Sequence, residues 1–352
     1  MDATLHYAIR KVQNVRVLVN VVKILLKHGA DINLENGKGE TPLIVACLVK
    51  SDIVPYLVNS GASIDALSGR RRSPLMHSVH SGNIRAIKFL LDKGADINCI
   101  HNGETPLALA ARRGNKTSME ILLERGADVK KCSDKLIRGA CISKKDGILE
   151  RIIELIGTET KLQNDFTPLI LCLYVKLFEQ AKKLIELGAN VNAKSNKGSA
   201  PLHYAISCEN VEIVNELIKR GANVDEMNAN EIYPLHLAIR RKNLEIFNLL
   251  IEAGADVNIY GEKSDCPLTV ACVTKQFEMI EILLKRGADP EKTMRIILGR
   301  YNPIDLLKVF AKHCDKMLFA TFFMPRVTFE KANGLGNTAS RYMFDQVLGR
   351  PE

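Results

Sequence analysis

A chain of 352 residues with a net charge of +9 has room for about two domains or one long repeat array. Hydrophobic residues make up 46% and charged residues 25%, which excludes disorder by composition, while 5% aromatics and no Trp predict a thin aliphatic core. No apolar run approaches the ~20 residues of a membrane helix, and the positive charge is spread along the chain, so it permits nucleic-acid contact without arguing for it.

Two dipeptides recur with one period. Gly-Ala stands at Gly29, Gly61, Gly94, Gly126, Gly188, Gly221, Gly254 and Gly287. Pro-Leu stands at Pro42, Pro74, Pro106, Pro168, Pro201, Pro234 and Pro267. Both series step by 32 or 33 residues, apart from one double step of 62. A fixed period of this size marks a repeat architecture.

The elements follow in chain order. The first unit, around residues 3–8, lacks the Pro and carries about five extra residues near 16–20. In the next three units Thr41, Ser73 and Thr105 precede the Pro, which is helix-start chemistry: a hydroxyl cap followed by a residue whose missing N–H would be unpaired anyway. The fifth unit, about 130–157, lacks both signals, yet Leu136, Ile137, Ile148, Leu149, Ile152, Ile153 and Leu155 suit two helices. Units six to nine restore the pattern. In the eighth, a short helix begins at Pro234, a polar turn holds Arg241, Lys242 and Asn243, and a second helix runs from Leu244 to a glycine stop at Gly254. After Pro290 the repeat fades. Asn302-Pro303 reads as a helix start, so 291–323 is expected to form a helical cap on the array and 324–352 a weakly ordered tail.

The units around Ala200-Pro-Leu-His-Tyr-Ala205 with Gly221-Ala-Asn-Val224, and Pro234-Leu-His-Leu-Ala238 with Gly254-Ala-Asp-Val-Asn258, resemble the ankyrin repeat. The resemblance covers about residues 1–290 in nine units, the first and fifth degenerate. It implies an all-α solenoid of stacked helix-turn-helix units with short β-turn fingers, and a non-enzymatic scaffold that binds a partner protein on its concave face. Viral and symbiont-like ankyrin proteins often follow the array with a short F-box-like helical segment that docks on a cullin ubiquitin ligase, so the resemblance also allows a substrate-recruiting adaptor. Pro303, Asp305 and Leu306 are faintly similar to the start of an F-box-like segment, which makes 302–323 the alternative docking element for a ligase component.

Contact residues are expected where the repeat leaves the side chain free. Arg70, Arg71 and Arg72 occupy a turn where neighbouring units have polar residues and a Gly. Arg112-Arg113 and Arg240-Arg241 end two first helices, at the place held elsewhere by His80 and Tyr174. Turn tips add His101, Asn102, Glu231 and Tyr260. This mixture suits an acidic segment of a partner.

Sharper readings of single motifs have plainer competitors. Arg70-Arg71-Arg72-Ser73 could serve import or phosphorylation, but Ser73 holds the capping place. His6, His203 and His236 sit two residues after the Pro place, a repeat or more apart, and are read as bonding within the turn–helix junction rather than as metal ligands. Asn33, Asn98, Asn192 and Asn258 resemble the site at which ankyrin repeats can be hydroxylated, and also fit a turn role. The nine Cys are odd in number and without C-x-x-C, and Cys47 and Cys272 read as core packing. The N-terminus has no basic run followed by an apolar core. The expected protein is therefore an intracellular monomer, cytoplasmic rather than nuclear, with no cofactor, no metal, no membrane and no nucleic-acid partner.

Overall fold

The structure, a computed structural model, describes residues 4–143, 145, 147–260, 265–291 and 293. Its eighteen α-helices among those residues come in nine consecutive pairs, and the chain divides into two compact units, 1–163 and 164–352. The expected cap at 302–323, the tail at 324–352 and Cys314 lie outside the described residues.

The first unit holds five pairs. These are α1 (Thr4–Lys11) with α2 (Val15–Lys27), α3 (Pro42–Leu48) with α4 (Val54–Asn59), α5 (Pro74–Ser81) with α6 (Ile84–Asp92), α7 (Pro106–Arg113) with α8 (Lys116–Glu124), and α9 (Ser133–Ser143) with α10 (Ile148–Ile156). The extra residues of the first repeat lengthen α2 to 13 residues, against nine in α6, α8 and α10. The fifth repeat keeps both helices despite losing its signature. The second unit holds α11 (Pro168–Tyr174) with α12 (Phe178–Glu186), α13 (Pro201–Ser207) with α14 (Val211–Lys219), α15 (Pro234–Arg241) with α16 (Leu244–Glu252), and α17 (Pro267–Val273) with α18 (Phe277–Lys285).

Local chemistry sets the helix starts. The hydroxyls of Thr41, Ser73, Thr105 and Thr167 each accept from the backbone N–H three residues on, and Pro fills the first helical position. Asn83, Asn115, Asn210 and Asn243 cap second helices in the same way. Most second helices end before a glycine in the left-handed region, such as Gly94 at φ +87° and Gly254 at φ +87°.

Within each unit, first helices pack on first helices and second helices on second helices. The first helices are buried almost all round: Leu43, Ile44, Val45, Ala46 and Cys47 have no accessible surface. Ala and Cys at these places let neighbouring backbones approach, which is why a thin core with few aromatics suffices. No unit of this size could bury such a face alone, and stacking supplies the missing side.

Side chains stitch successive repeats together. Asn192 donates from Nδ2 to the Gly221 carbonyl (3.0 Å) and accepts at Oδ1 from the Asn223 N–H (2.8 Å). Asn33 and Asn258 make the same pair of bonds one repeat ahead, and Asn98 accepts from the Asp128 N–H. A bridge between repeats is thus the structural role of all four. The histidines do likewise. His203 accepts at Nδ1 from the Ala200 N–H, within its own turn–helix junction, so its proton lies on Nε2, which donates to the Ile232 carbonyl (3.1 Å). His6 reaches the Glu40 carbonyl and His236 the Asp265 carbonyl. These imidazoles therefore join one finger to the next, beyond the junction the sequence suggested. At the end of the ninth repeat, the fully buried Thr293 bonds Thr269 (2.8 Å) and Cys266 (3.2 Å), so the chain just after the repeats still packs on α17.

Candidate functional site

The fingers are short antiparallel turns before the first helices. Asn36 N–H donates to the Glu40 carbonyl and Ser68 N–H to the Arg72 carbonyl (both 3.0 Å). His101 and Glu104 exchange two such bonds, also at 3.0 Å. Adjacent fingers in the first unit bond directly, from the Gly69 N–H to the Gly39 carbonyl (3.0 Å). This approach leaves no room for a side chain: a Cβ on Gly69 would sit 2.5 Å from the Lys38 carbonyl oxygen.

The residue three before the Pro place adopts a left-handed conformation in finger after finger. Gly occupies it at Gly39, Gly103 and Gly198, but Arg71 (φ +54°), Asp165 (φ +55°) and Glu231 (φ +58°) occupy it elsewhere. A side chain there costs about 1–2 kcal/mol that Gly avoids. Of the three, Arg71 keeps this strain at an exposed finger tip and was already marked by the sequence as a departure from the repeat. Replacing Arg71 by Gly is accordingly expected to leave stability unchanged or raise it by up to about 1 kcal/mol, the relief being partly offset by a freer unfolded chain. Urea unfolding checks this, and a loss of more than 1 kcal/mol would show that the Arg71 side chain supports the fold.

Between the fingers and the first helices of the first unit lies a groove of about 760 Å³. Lys38, Glu40, Ser68, Arg70 and Arg72 of the fingers line it, with Leu48 of α3 and His77 and His80 of α5. A smaller depression of about 360 Å³ is lined by Gly69, Arg70, Arg71, Arg72 and Asn102. Asn102 Nδ2 donates to the Arg70 carbonyl (3.2 Å), which ties the two fingertips together.

The charges here do not balance. Glu40 binds Arg10 (2.9 Å) and Asn36 (3.0 Å). Glu104 grips Arg112 through two bonds of 2.7 and 3.1 Å, which raises the Arg112 pKa. Lys38, Arg70, Arg71 and Arg72 have no carboxylate within 4.0 Å among the described residues. Arg113 donates from Nη2 to His80 Nε2 (3.2 Å). A guanidinium can only donate, so that ring nitrogen accepts and the neutral ring carries its proton on Nδ1, which is buried without a partner. Burial, then Arg113 and Arg72, lower the His80 pKa. His77 is pushed down to about 4, by burial first and Arg72 second. Burial and Arg71 lower His101.

The structure thus brings Arg70, Arg71, Arg72, His80, His101, Asn102, Arg112 and Arg113 into one region of the first unit. Arg112 is committed to Glu104 and Arg113 to His80, so neither is a loose surface charge. Sequence reasoning missed Lys38 and reads His77 only as a surface or packing residue. Lys38 stands four residues before Pro42, as Arg70 stands four before Pro74, so aligning the fingers by period would have found it. His77 carried no such signal, because its place holds Val45 and Leu109 in the flanking repeats.

Tyr174, Glu231, Arg240, Arg241 and Tyr260 belong to the second unit. Tyr174 is 60% exposed and meets Phe166 and Tyr204 edge to face, at ring-centroid distances of 5.3 and 6.4 Å. Tyr204 donates to the Ser195 hydroxyl (3.1 Å). Glu231 sits at a strained fingertip. Arg240 and Arg241 end α15, and burial raises the Cys208 pKa against the opposing charges of Lys176 and Arg241. Tyr260 accepts at its carbonyl from the Tyr233 hydroxyl (3.1 Å).

No group of three or more His, Cys, Asp or Glu among the described residues could hold a metal ion. No helix among them is long and apolar enough to cross a membrane. Burial pushes the Cys47 thiol up to about 12, in keeping with a packing role.

The profile for ankyrin repeats (3 copies) matches residues 2–68, 50–132, 139–228 and 220–294, and the chain belongs to the ankyrin repeat family. It is 27% identical over 202 residues to the human neurogenic locus notch homolog protein 2, covering 52% of this chain and 7% of that protein. It is 28% identical over 203 residues to the ankyrin repeat and KH domain-containing protein mask-1 of Caenorhabditis elegans, covering 55% of this chain and 8% of that protein. The chain therefore spans less than a tenth of these relatives' length. Among solved structures, the ankyrin repeat domain of Bcl-3 matches 70% of this chain and 97% of its own, with 23% identity and a TM-score of 0.42. Ankyrin repeats are protein–protein interaction modules without a catalytic site of their own.

Proposed function

We propose that the protein is a binding scaffold whose first unit receives an acidic segment of a partner protein in the groove between fingers and first helices. The observation that carries this reading is the charge imbalance: Lys38, Arg70 and Arg72 face one groove with no carboxylate of their own. Opposite charge on a partner would be steered there and held in register. Arg71, kept at a strained fingertip, extends the same positive field. The adaptor alternative rests on 302–323, outside the described residues, and no feature of the groove favours it over a plain scaffold. The burial of Thr293 on α17 supports the reading of the segment after the repeats as an end cap.

The test is fluorescence anisotropy with a labelled peptide of alternating Glu and Gly, against its Lys and Gly counterpart. The acidic peptide is expected to bind, with affinity falling as salt rises. The double variant Arg70→Ala/Arg72→Ala should lose about tenfold or more in affinity, each charge-assisted contact being worth ~1.5–3 kcal/mol at most. Equal binding of both peptides, or an unchanged affinity in the double variant, would sink the proposal.

A further inference from the structure

Three cationic side chains, Lys38, Arg70 and Arg72, line the groove against one carboxylate, Glu40. Lys38, Arg70 and Arg72 converge on a single space of about 760 Å³. Of the acids around it, Glu40 is bonded to Arg10 and Glu104 to Arg112, while Glu35 Oε2 lies 3.5 Å from where a Cβ on Gly39 would stand and makes no ion pair with Lys38, Arg70 or Arg72. On the groove's helical wall His80 holds an N–H at Nδ1 with no acceptor, and His77 Nδ1, in a residue only 5% exposed, is also without a partner. Around both rings the charged neighbours are Arg70, Arg72, Arg112 and Arg113 from the fingers and α7, against Glu40 alone.

A single carboxylate would leave most of this charge unmatched. A phosphate monoester carries about −1.5 to −2 at neutral pH and three acceptor oxygens, and planar guanidinium forks grip it through paired bonds. A string of carboxylates matches the charge only through several side chains, where a phosphate monoester does so with one.

We propose that this groove seats a phosphate monoester on the partner protein, a phosphorylated side chain held by Arg70, Arg72 and Lys38. The inference rests on the groove being the docking surface and adds the chemical class of the group bound there. It separates the site from nucleic acid, whose diesters carry one charge per phosphate and are gripped along a track with stacking aromatics. Phe166, Tyr174 and Tyr204, the one described aromatic triad, belong to the second unit.

The experiment uses the full chain and a labelled Gly- and Ser-rich nonapeptide with phosphoserine at its centre. The comparison peptides carry Glu or Ser at that place. The phosphopeptide is expected to bind about tenfold tighter than the Glu peptide, and inorganic phosphate at millimolar concentration should displace it. Arg70→Lys/Arg72→Lys keeps the charge but removes the forks, and should cost the phosphopeptide most of its advantage while circular dichroism stays unchanged. If the Glu peptide binds as well as the phosphopeptide, the inference falls and the acidic-groove reading stands. If neither binds, the inference falls, and the acidic-segment reading stands or falls with the alternating Glu and Gly peptide. Phosphopeptide binding unaltered in the Arg70→Ala/Arg72→Ala variant would place the phosphate elsewhere, and equal displacement by a short single-stranded oligonucleotide at matched phosphate concentration would replace the monoester with a nucleic-acid strand; either result overturns the inference.

Discussion

Acidification from pH 7 to pH 5 is expected to lower the stability of the protein steeply, with His77 a main contributor. His77 is 5% exposed, its Nε2 meets the Ser68 hydroxyl at 3.0 Å, and its pKa is pushed down to about 4. Burial is the larger cause. Arg72, His80 and Arg70 add to it, and Glu40 opposes. In the unfolded chain the same ring titrates near 6.5. Between those values the unfolded state binds a proton that the folded state refuses, so stability rises with pH. The contribution is fully present above about 6.5 and is lost as the pH falls toward about 4. A full proton's difference is worth ~1.4 kcal/mol per pH unit. His203 and His236 are lowered as well, burial leading in both, so the losses add. Urea midpoints at pH 7, 6 and 5 measure the slope. His77→Gln keeps a polar side chain beside Ser68 but cannot titrate, and its profile should be shallower by roughly 1–2 kcal/mol over this range. Parallel profiles for variant and parent would mean that His77 accepts a proton in the folded state.

Gly69→Ala is expected to damage fold and groove together. The added methyl would meet the Lys38 carbonyl oxygen at 2.5 Å and its carbon at 3.3 Å, both backbone atoms that cannot swing aside. Either finger must move, and the bond from Gly69 to the Gly39 carbonyl is lost. Overpacking of this kind costs ~1–3 kcal/mol. Lys38 and Arg70 flank the contact, so their spacing across the groove should change and binding of the acidic peptide should weaken even where the protein remains folded. Gly37→Ala is the control. Its Cβ meets nothing within 4 Å, so stability should stay within about 0.5 kcal/mol. An intact affinity in Gly69→Ala would show that the fingers adjust without altering the groove.

Much of the fold was legible in the sequence, because its signals are local and repeated. The hydroxyl before Pro42, Pro74, Pro106 and Pro168 caps a helix through its own backbone three residues on. The glycine after each second helix answers to a left-handed φ at that residue. The fifth repeat was harder. Its apolar spacing still gave α9 and α10, though Thr-Pro and the Gly-Ala pair were absent and only Gly157 (φ +84°) kept the stop. The arginines of the site, though not Lys38, were visible as departures from the repeat, and Arg71 and Glu231 stood out where other fingers have Gly.

What the sequence determined by itself was the period, the helix pairs, the family and the short roll of residues not used for stacking. Each depends on the chemistry of a few neighbouring residues, repeated until chance is excluded. Only the tertiary structure decided which of those residues are available. It committed Arg112 to Glu104 within the repeat and Arg113 to His80 of the repeat before. It joined Lys38, Arg70 and Arg72 around one groove and placed His77 in its wall. Apart from Arg112 and Glu104, eight residues apart, these neighbours lie about one repeat apart in the chain, and a charge is neutralised or left over according to which fingertip the packing sets beside it.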